Sequence, residues 1–233
     1  MKKLSLALLI LFSTAVFTPS CDVLNLNELG SNLTDEEVIA GLKEALTVGT
    51  DTAVTQGSAI DGYLGNSLIK IAFPEEASIV QTVLSAVPGG DELIDILVEK
   101  LNRAAEDAAD KASPILKDAI LNISFDDAWD ILNGVDTAAT NYLRIHTFSD
   151  LYDAFKPDIQ NSLESVGAQQ AWEDVIDLYN SIPLTDDIST DLADYTTNKA
   201  LDGLFILVGQ EEIKIRNDVS HQVTDLLEKV FGN

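Results

Sequence analysis

Apolar residues recur every three or four positions along most of this chain, a spacing that predicts helices packed through one face. Thr34 and Glu37 have the spacing of a capping box, which predicts the N-terminus of the first helix. Leu33 and Val38 are placed to pack against each other across that N-terminus as a hydrophobic staple. We therefore expect the folded domain to begin at residue 34.

A long amphipathic helix is predicted after the break at Pro88, Gly89 and Gly90, with Asp91 as its N-cap. Six apolar positions fall on one face of this helix, namely Ile94, Leu97, Leu101, Ala104, Ala108 and Ala112. Five charged positions fall on the opposite face, namely Asp95, Glu99, Arg103, Glu106 and Asp110. This arrangement predicts a helix with one buried side and one solvent-facing side.

Further helix starts are indicated by capping residues and prolines. In chain order they are Pro114, Ser124, Asp136 and Ser149. The Ser124 helix is expected to end at Asn133 and Gly134, which together resemble a C-terminal stop. The Ser149 helix contains Pro157, which removes one backbone hydrogen bond and predicts a kink or a division there.

The segment 201–208 is nearly all apolar, which predicts a helix at the centre of a bundle. After it, Glu212 and Arg216 have the spacing of an exposed pair, and His221–Phe231 forms a last amphipathic helix. Ile69–Phe73 is the best strand candidate and is too short to build a sheet. The predicted fold class is all-α: a single-domain, multi-helix bundle with an apolar central helix near the C-terminus.

The N-terminus has the pattern of an export signal. Two lysines precede an apolar run from Leu4 to Phe17, shorter than a spanning helix needs, and small residues follow it. Cleavage after Ser20 would leave Cys21 as the first residue, which resembles the lipid-attachment site of bacterial lipoproteins. The alternative is an ordinary secreted protein with Cys21 as a free thiol. We predict a signal peptide at 1–20, a lipidated N-terminus and tether at 21–33, and one helical domain at 34–233.

Net charge limits the possible partners. With 39 acidic and 14 Lys or Arg residues, the chain carries a formal charge of -25, which repels nucleic acid and anionic headgroups. Electrostatic attraction cannot hold such a protein at a membrane, whereas acyl chains can. We therefore expect a membrane-anchored lipoprotein of the bacterial cell envelope, on its periplasmic side or at the cell surface. It is expected to be a monomer and to bind no nucleic acid.

Candidate chemistry is sparse. The single cysteine and the distant His146 and His221 predict no metal site, and no motif indicates a cofactor. Two glycines shape a polar turn at 61–66, and several cations lie among apolar neighbours. The resulting candidate cluster, either a ligand pocket or a set of structural ion pairs, is Asp61, Asn66, Arg103, Arg144, Lys199 and Asp202. Lys199 and Asp202 are spaced to pair directly on one helix.

Several stretches together resemble one bacterial family, catalogued as domain of unknown function 4197. They include residues 33–37 and 41–46, the turn 61–66, Asn102–Glu106, 132–140, 154–157, Lys199–Phe205 and 229–232. The resemblance extends over almost all of the chain after the tether. It implies a helical, exported protein with a lipoprotein-type leader, and it implies no activity.

Two functions remain open from the sequence. The first is a non-enzymatic envelope lipoprotein whose helical domain binds a protein or a hydrophobic small molecule. The second is a hydrolase-like envelope enzyme whose polar residues converge in a cleft. The relative positions of the six candidate residues distinguish the two, as does the presence or absence of a ligand-sized apolar cavity.

Overall fold

The computed structural model describes residues 34–182 and 191–231, and every regular element within those ranges is a helix. The α-helices are α1 Asp35–Ser58, α2 Ser78–Leu84, α3 Gly90–Ala108, α4 Ala112–Leu121, α5 Phe125–Leu132, α6 Ala138–Ser165, α7 Ala168–Asn180, α8 Leu192–Asn217 and α9 Asp225–Phe231. The predicted all-α fold class is confirmed. These helices belong to one compact unit, Leu33–Asn233. The expected signal peptide, Cys21, the tether and the staple residue Leu33 lie outside the described residues.

Two predicted N-caps are confirmed. At the start of α1, Glu37 N donates to Thr34 Oγ1 at 3.2 Å, and Thr34 N donates to Glu37 Oε2 at 3.0 Å. At the start of α5, Asp127 N donates to Ser124 Oγ at 3.2 Å. Both pairs form complete capping boxes, because the side chain of each residue accepts a hydrogen bond from the backbone amide of the other.

Helix α3 differs from its prediction at both ends and at Glu106. It begins at Gly90 with Gly89 as N-cap, and Asp91 lies in its first turn. It ends at Ala108, so Asp110 lies in a 3₁₀ turn and Ala112 is the first residue of α4. Gly89 has φ of 82°, a left-handed conformation that glycine adopts without steric cost. The chain therefore turns into α3 through the backbone of this glycine. The predicted apolar face is buried as expected, but Glu106, predicted to face solvent, is only 5% exposed.

Helix α6 replaces the two helices predicted after Asp136 and Ser149. It starts after Thr137 and continues through Ser149 and Pro157 without a break. Its buried residues continue on both sides of the proline, so packing holds the two halves together. Pro157 and Asp153 are both exposed, and water can satisfy the carbonyl that loses its partner.

The remaining differences between the predicted and the observed elements are smaller. Helix α4 starts at Ala112, so Pro114 lies in its first turn, where its missing amide costs little. The last helix is shorter than predicted: a 3₁₀ turn at Val219–His221 precedes α9. The segment 69–73 forms no strand.

Helix α8 occupies the centre of the bundle, as its apolar sequence predicted. It packs against both α1 and α6, the other two long helices. Its buried core residues include Leu201, Leu204, Phe205, Leu207 and Val208. Within the described residues, no helix combines the length and the apolar character that crossing a bilayer requires.

Candidate functional site

The turn that follows α1 is held against α3 by one buried carboxylate. Glu106 Oε1 accepts the backbone amides of Tyr63 and Leu64, each at 3.1 Å. The Tyr63 ring is fully buried, and its hydroxyl donates to the carbonyl of Ala200 on α8 at 2.7 Å. Burial and the nearby Glu106 charge raise the pKa of Tyr63 above its usual value. The turn is thereby fixed between α3 and α8.

Arg103 links this buried carboxylate to the candidate residue Asp61. Its guanidinium donates to Glu106 at 2.7 Å and to Asp61 at 2.8 Å. The hydrogen bond to Glu106, followed by that to Asp61, raises the pKa of Arg103. Asp61 has φ of 62°, a left-handed conformation that aspartate tolerates better than most residues do. Asp61 and Arg103 are therefore brought together, and both serve to hold the turn.

The loop beyond the turn is fixed by two asparagines. Asn66 Oδ1 accepts the amide of Leu68 at 3.1 Å, which closes the loop locally. Asn102 on α3 bonds both the amide and the carbonyl of Ile71 at 2.8 Å, as a neighbouring strand would. This pairing satisfies the amide and the carbonyl of Ile71 although the segment 69–73 joins no sheet.

Helix α8 approaches the turn closely because Gly203 has no side chain. A Cβ at this position would lie 2.7 Å from Tyr63 Cε1 and 3.1 Å from Ile69 Cβ. Three of the stretches quoted for the family resemblance, 61–66, Asn102–Glu106 and Lys199–Phe205, thus meet at one place. The predicted site residues did not include Glu106, Asn102 or Tyr63. The helical and turn patterns in which these residues lie gave no indication that they would be buried.

The remaining candidate residues form two ion pairs near α8. Arg144 on α6 pairs with Asp202, and its guanidinium lies over the rings of Phe148 and Phe205 at 5.4 and 5.3 Å. Lys199 pairs with Glu75 at 3.6 Å. The expected pair between Lys199 and Asp202 is therefore replaced by two pairs that join α8 to neighbouring segments.

A groove of about 290 Å³ runs between α8 and the loop after the turn. Lys199, Asp202 and Glu75 line it together with two exposed apolar side chains, Leu68 and Ile206. We call this the α8 groove. Its volume is at the lower limit of about 300 Å³ for small-molecule pockets, so it suits a protruding side chain better than a whole ligand.

An ion pair at the other end of α8 is buried, contrary to its prediction as an exposed pair. Arg216 and Glu212 lie 3.0 Å apart, with side chains only 11% and 6% exposed. Glu212 also accepts the amides of Ala139 and Thr140, at 2.9 and 2.8 Å, so it closes the N-terminus of α6. The sequence spacing predicted the pair correctly but could not show that α6 covers it.

An apolar cavity lies among α1, α8 and α9, and its volume is about 20 Å³. That is room for about one water molecule, too little for a hydrophobic ligand. No group of three or more His, Cys, Asp or Glu residues within 34–182 and 191–231 is arranged to hold a metal ion. The functional groups of Asp61, Asn66, Arg103, Arg144, Lys199 and Asp202 are engaged in the contacts described above, which favours the structural interpretation of this cluster.

Comparison with known proteins identifies a family. A family model described as "Protein of unknown function (DUF4197)" matches residues 32–232. This match confirms the resemblance carried by the quoted stretches. No curated protein and no solved structure matches the chain.

Proposed function

This chain belongs to the family Protein of unknown function (DUF4197), and we propose that it is a non-enzymatic, lipid-anchored protein of the bacterial cell envelope that binds a protein partner. The exposed apolar pair Leu68 and Ile206, on either side of the α8 groove, carries the binding part of this proposal. The signal-like leader followed by Cys21 supports the anchoring part.

A protein partner fits the site better than a hydrophobic small molecule does. The apolar cavity among α1, α8 and α9 holds about one water molecule, whereas the α8 groove is open and combines apolar and charged walls. An apolar side chain of a partner can insert between Leu68 and Ile206, as buried anchors do at the centre of interfaces. The ion pairs around the groove then form a polar rim.

The charge of the chain specifies the partner further. At a formal charge of -25, the protein attracts a surface of net positive charge and repels acidic ones. We therefore expect an envelope protein whose apolar anchor is flanked by Lys or Arg. Association is expected to slow with added salt, because the steering charges are exposed.

Lipidation is tested by mass spectrometry of the chain purified from its own membrane fraction. The expected result is an acyl-modified Cys21 at a new N-terminus, and loss of membrane attachment in Cys21→Ser. Wild-type protein recovered in soluble form with a free Cys21 thiol would contradict the anchoring part and leave the binding part unaffected.

Partner binding is tested with a photo-crosslinking amino acid placed at Leu68 or Ile206 in living cells. The expected result is one discrete adduct from both positions, in which the crosslinked partner peptide contains an apolar residue beside Lys or Arg. The same probe at Ile96, an exposed apolar position on α3 outside the groove, is the matched control. The Leu68 adduct should disappear in Ile206→Asp and persist in Ile96→Asp.

Two outcomes contradict the proposal. An adduct of equal yield from Ile96 would mean that the groove has no special role. A hydrolytic activity of the purified protein that is lost in Asp202→Asn would favour the enzyme alternative, because Asp202 lines the groove.

A further inference from the structure

The end of the bundle where α1 begins brings together four other chain segments. Arg216 near the end of α8 donates to the carbonyls of Ile131 and Leu132 at the end of α5, at 2.8 and 3.1 Å. Lys43 in the first half of α1 donates to the carbonyl of Leu121 at 2.7 Å, which places the end of α4 there too. Helix α9 contacts the start of α1 through Lys229 and Glu37.

These segments expose a group of large apolar side chains, which we call the apolar end. Its members are Leu121 after α4, Phe125 on α5, Val135 before α6, and Val219 and Val223 after α8. All but Phe125 are about two thirds exposed or more: 71%, 69%, 67% and 66% for Leu121, Val135, Val219 and Val223. Exposed apolar residues grouped at one end of a protein mark a surface that meets another protein, a membrane or a ligand.

An aromatic pair also lies at the apolar end. Phe125 and Trp129 on α5 contact each other edge to face, with ring centroids 6.5 Å apart, and Trp129 is partly exposed. Tryptophan is enriched where proteins meet the bilayer interface, because its ring is apolar and its N–H is polar.

The chain outside the described residues joins the domain at this same end. Residues 21–33 connect Cys21 to Thr34, the first described residue and the N-cap of α1. Such a segment spans at most about 45 Å when fully extended. With an acyl group on Cys21, the apolar end can reach the bilayer with little extension. The Asp61 turn lies beyond the 24 residues of α1, which are about 36 Å long.

We infer that the apolar end rests on the bilayer and sets the orientation of the anchored domain. This inference rests on the proposed lipidation of Cys21. The membrane surface it fits is zwitterionic, because exposed Asp126, Asp130 and Asp218 at this end repel anionic headgroups. The α8 groove, lying beside the turn at the other end of α1, then faces away from the membrane, toward a partner.

Fluorescence of the two tryptophans tests this orientation. Trp172→Phe leaves Trp129 as the single emitter at the apolar end, and Trp129→Phe leaves Trp172, which is 6% exposed and packed on Phe73. Each full-length variant is expressed, purified from membranes and placed in phosphatidylcholine vesicles with brominated acyl chains. We expect about a twofold loss of Trp129 emission and less than about a tenth for Trp172, since bromine quenches only rings near the bilayer.

A triple variant measures the contribution of the apolar side chains. Leu121→Ser, Val219→Ser and Val223→Ser, added together to Trp172→Phe, should reduce the quenching of Trp129 to that of Trp172. The matched control changes three exposed apolar residues in other segments, Ile60, Ile79 and Ile96, to Ser and should keep the quenching. Both variants should retain the urea midpoint of their parent, because the changed side chains are exposed.

Failure of the inference is distinct from failure of lipidation. If the purified chain carries no acyl group, its only cysteine, Cys21, is coupled to a maleimide lipid, which supplies the tether chemically. Vesicle-bound protein whose Trp129 is quenched no more than Trp172 would overturn the proposed orientation in either preparation. Equal quenching in the triple variant and its parent would overturn it as well.

Discussion

The carboxylate of Glu106 accepts the backbone amide of Tyr63 at 3.1 Å, and this contact attaches the turn after α1 to α3. The same carboxylate accepts hydrogen bonds from Leu64 N and from the Arg103 guanidinium. A charged group that is 5% exposed is tolerated here because three donors surround it. The turn also positions Leu68, which forms one wall of the α8 groove.

Removing the Glu106 carboxylate should destabilise the fold strongly. Glu106→Ala leaves two backbone amides without their acceptor and removes the buried charge partner of Arg103, so we expect the free energy of unfolding to fall by about 2–4 kcal/mol. Glu106→Gln keeps a carbonyl for the amides and should lose about half as much. Urea unfolding followed by circular dichroism measures both values.

The control for Glu106 is Glu99, one of Arg103's other acidic neighbours. Glu99 is 57% exposed and lies 3.9 Å from the Arg103 guanidinium, so Glu99→Ala should change the free energy of unfolding by less than about 1 kcal/mol. Equal losses from Glu99→Ala and Glu106→Ala would contradict the view that Glu106 holds the turn.

Two glycines of α8 should respond in opposite directions to alanine. Gly203→Ala places a methyl group 2.7 Å from the Tyr63 ring and should lower the free energy of unfolding by about 1–3 kcal/mol. At Gly209 the nearest atom would be Thr140 Oγ1 at 3.6 Å, an ordinary contact. Gly209→Ala should therefore stabilise the helix by about 0.5–1 kcal/mol. Thermal unfolding of both variants measures the difference in sign.

Tyr63 should make stability fall at alkaline pH. Burial and the Glu106 charge raise the pKa of Tyr63 above its usual value of about 10. Above pH 10 the unfolded chain loses the Tyr63 proton while the folded chain keeps it, so the free energy of unfolding decreases as pH rises. The decrease approaches about 1.4 kcal/mol per pH unit for one group.

Tyr63→Phe isolates this effect from other titrating groups. At pH 7 the variant loses the hydrogen bond to Ala200 and should be about 1 kcal/mol less stable than wild type. Between pH 10 and 11.5 the difference should shrink or reverse, because the variant has no hydroxyl to ionise there. Parallel stability curves for the two proteins across that pH interval would refute the prediction. Urea midpoints at each pH provide the measurement.

Two of the ion pairs of α8, one buried and one exposed, should differ in their contribution to stability. Glu212→Gln removes the charge partner of Arg216 in a site that is nearly closed to water, and we expect a loss of about 3 kcal/mol or more. Asp202→Asn breaks the Arg144 pair where both side chains are more than 40% exposed, and the expected loss is below about 1 kcal/mol. Chemical unfolding at low and high salt measures both losses in the free energy of unfolding. Comparable losses would mean that burial of Glu212 has little consequence.

Local chemistry made some elements predictable. The capping box at Thr34 and the N-cap at Ser124 were identified from sequence because each involves residues no more than three positions apart. The predictions that failed had different causes. Ser149 is a good cap residue, yet it lies inside α6, whose continuous buried face outweighs local preference. Asp91 was displaced as N-cap by a glycine turn that precedes it.

The sequence by itself determined the helical class, the central position of α8 and the pairing of Glu212 with Arg216, since helical periodicity and capping act over a few residues. Only the tertiary structure decided that Glu106 and Glu212 are buried, that Lys199 reaches Glu75 and that Asp202 reaches Arg144. Burial and pairing of charges depend on which segments pack over a helix. That packing joins residues tens of positions apart, which no local pattern encodes.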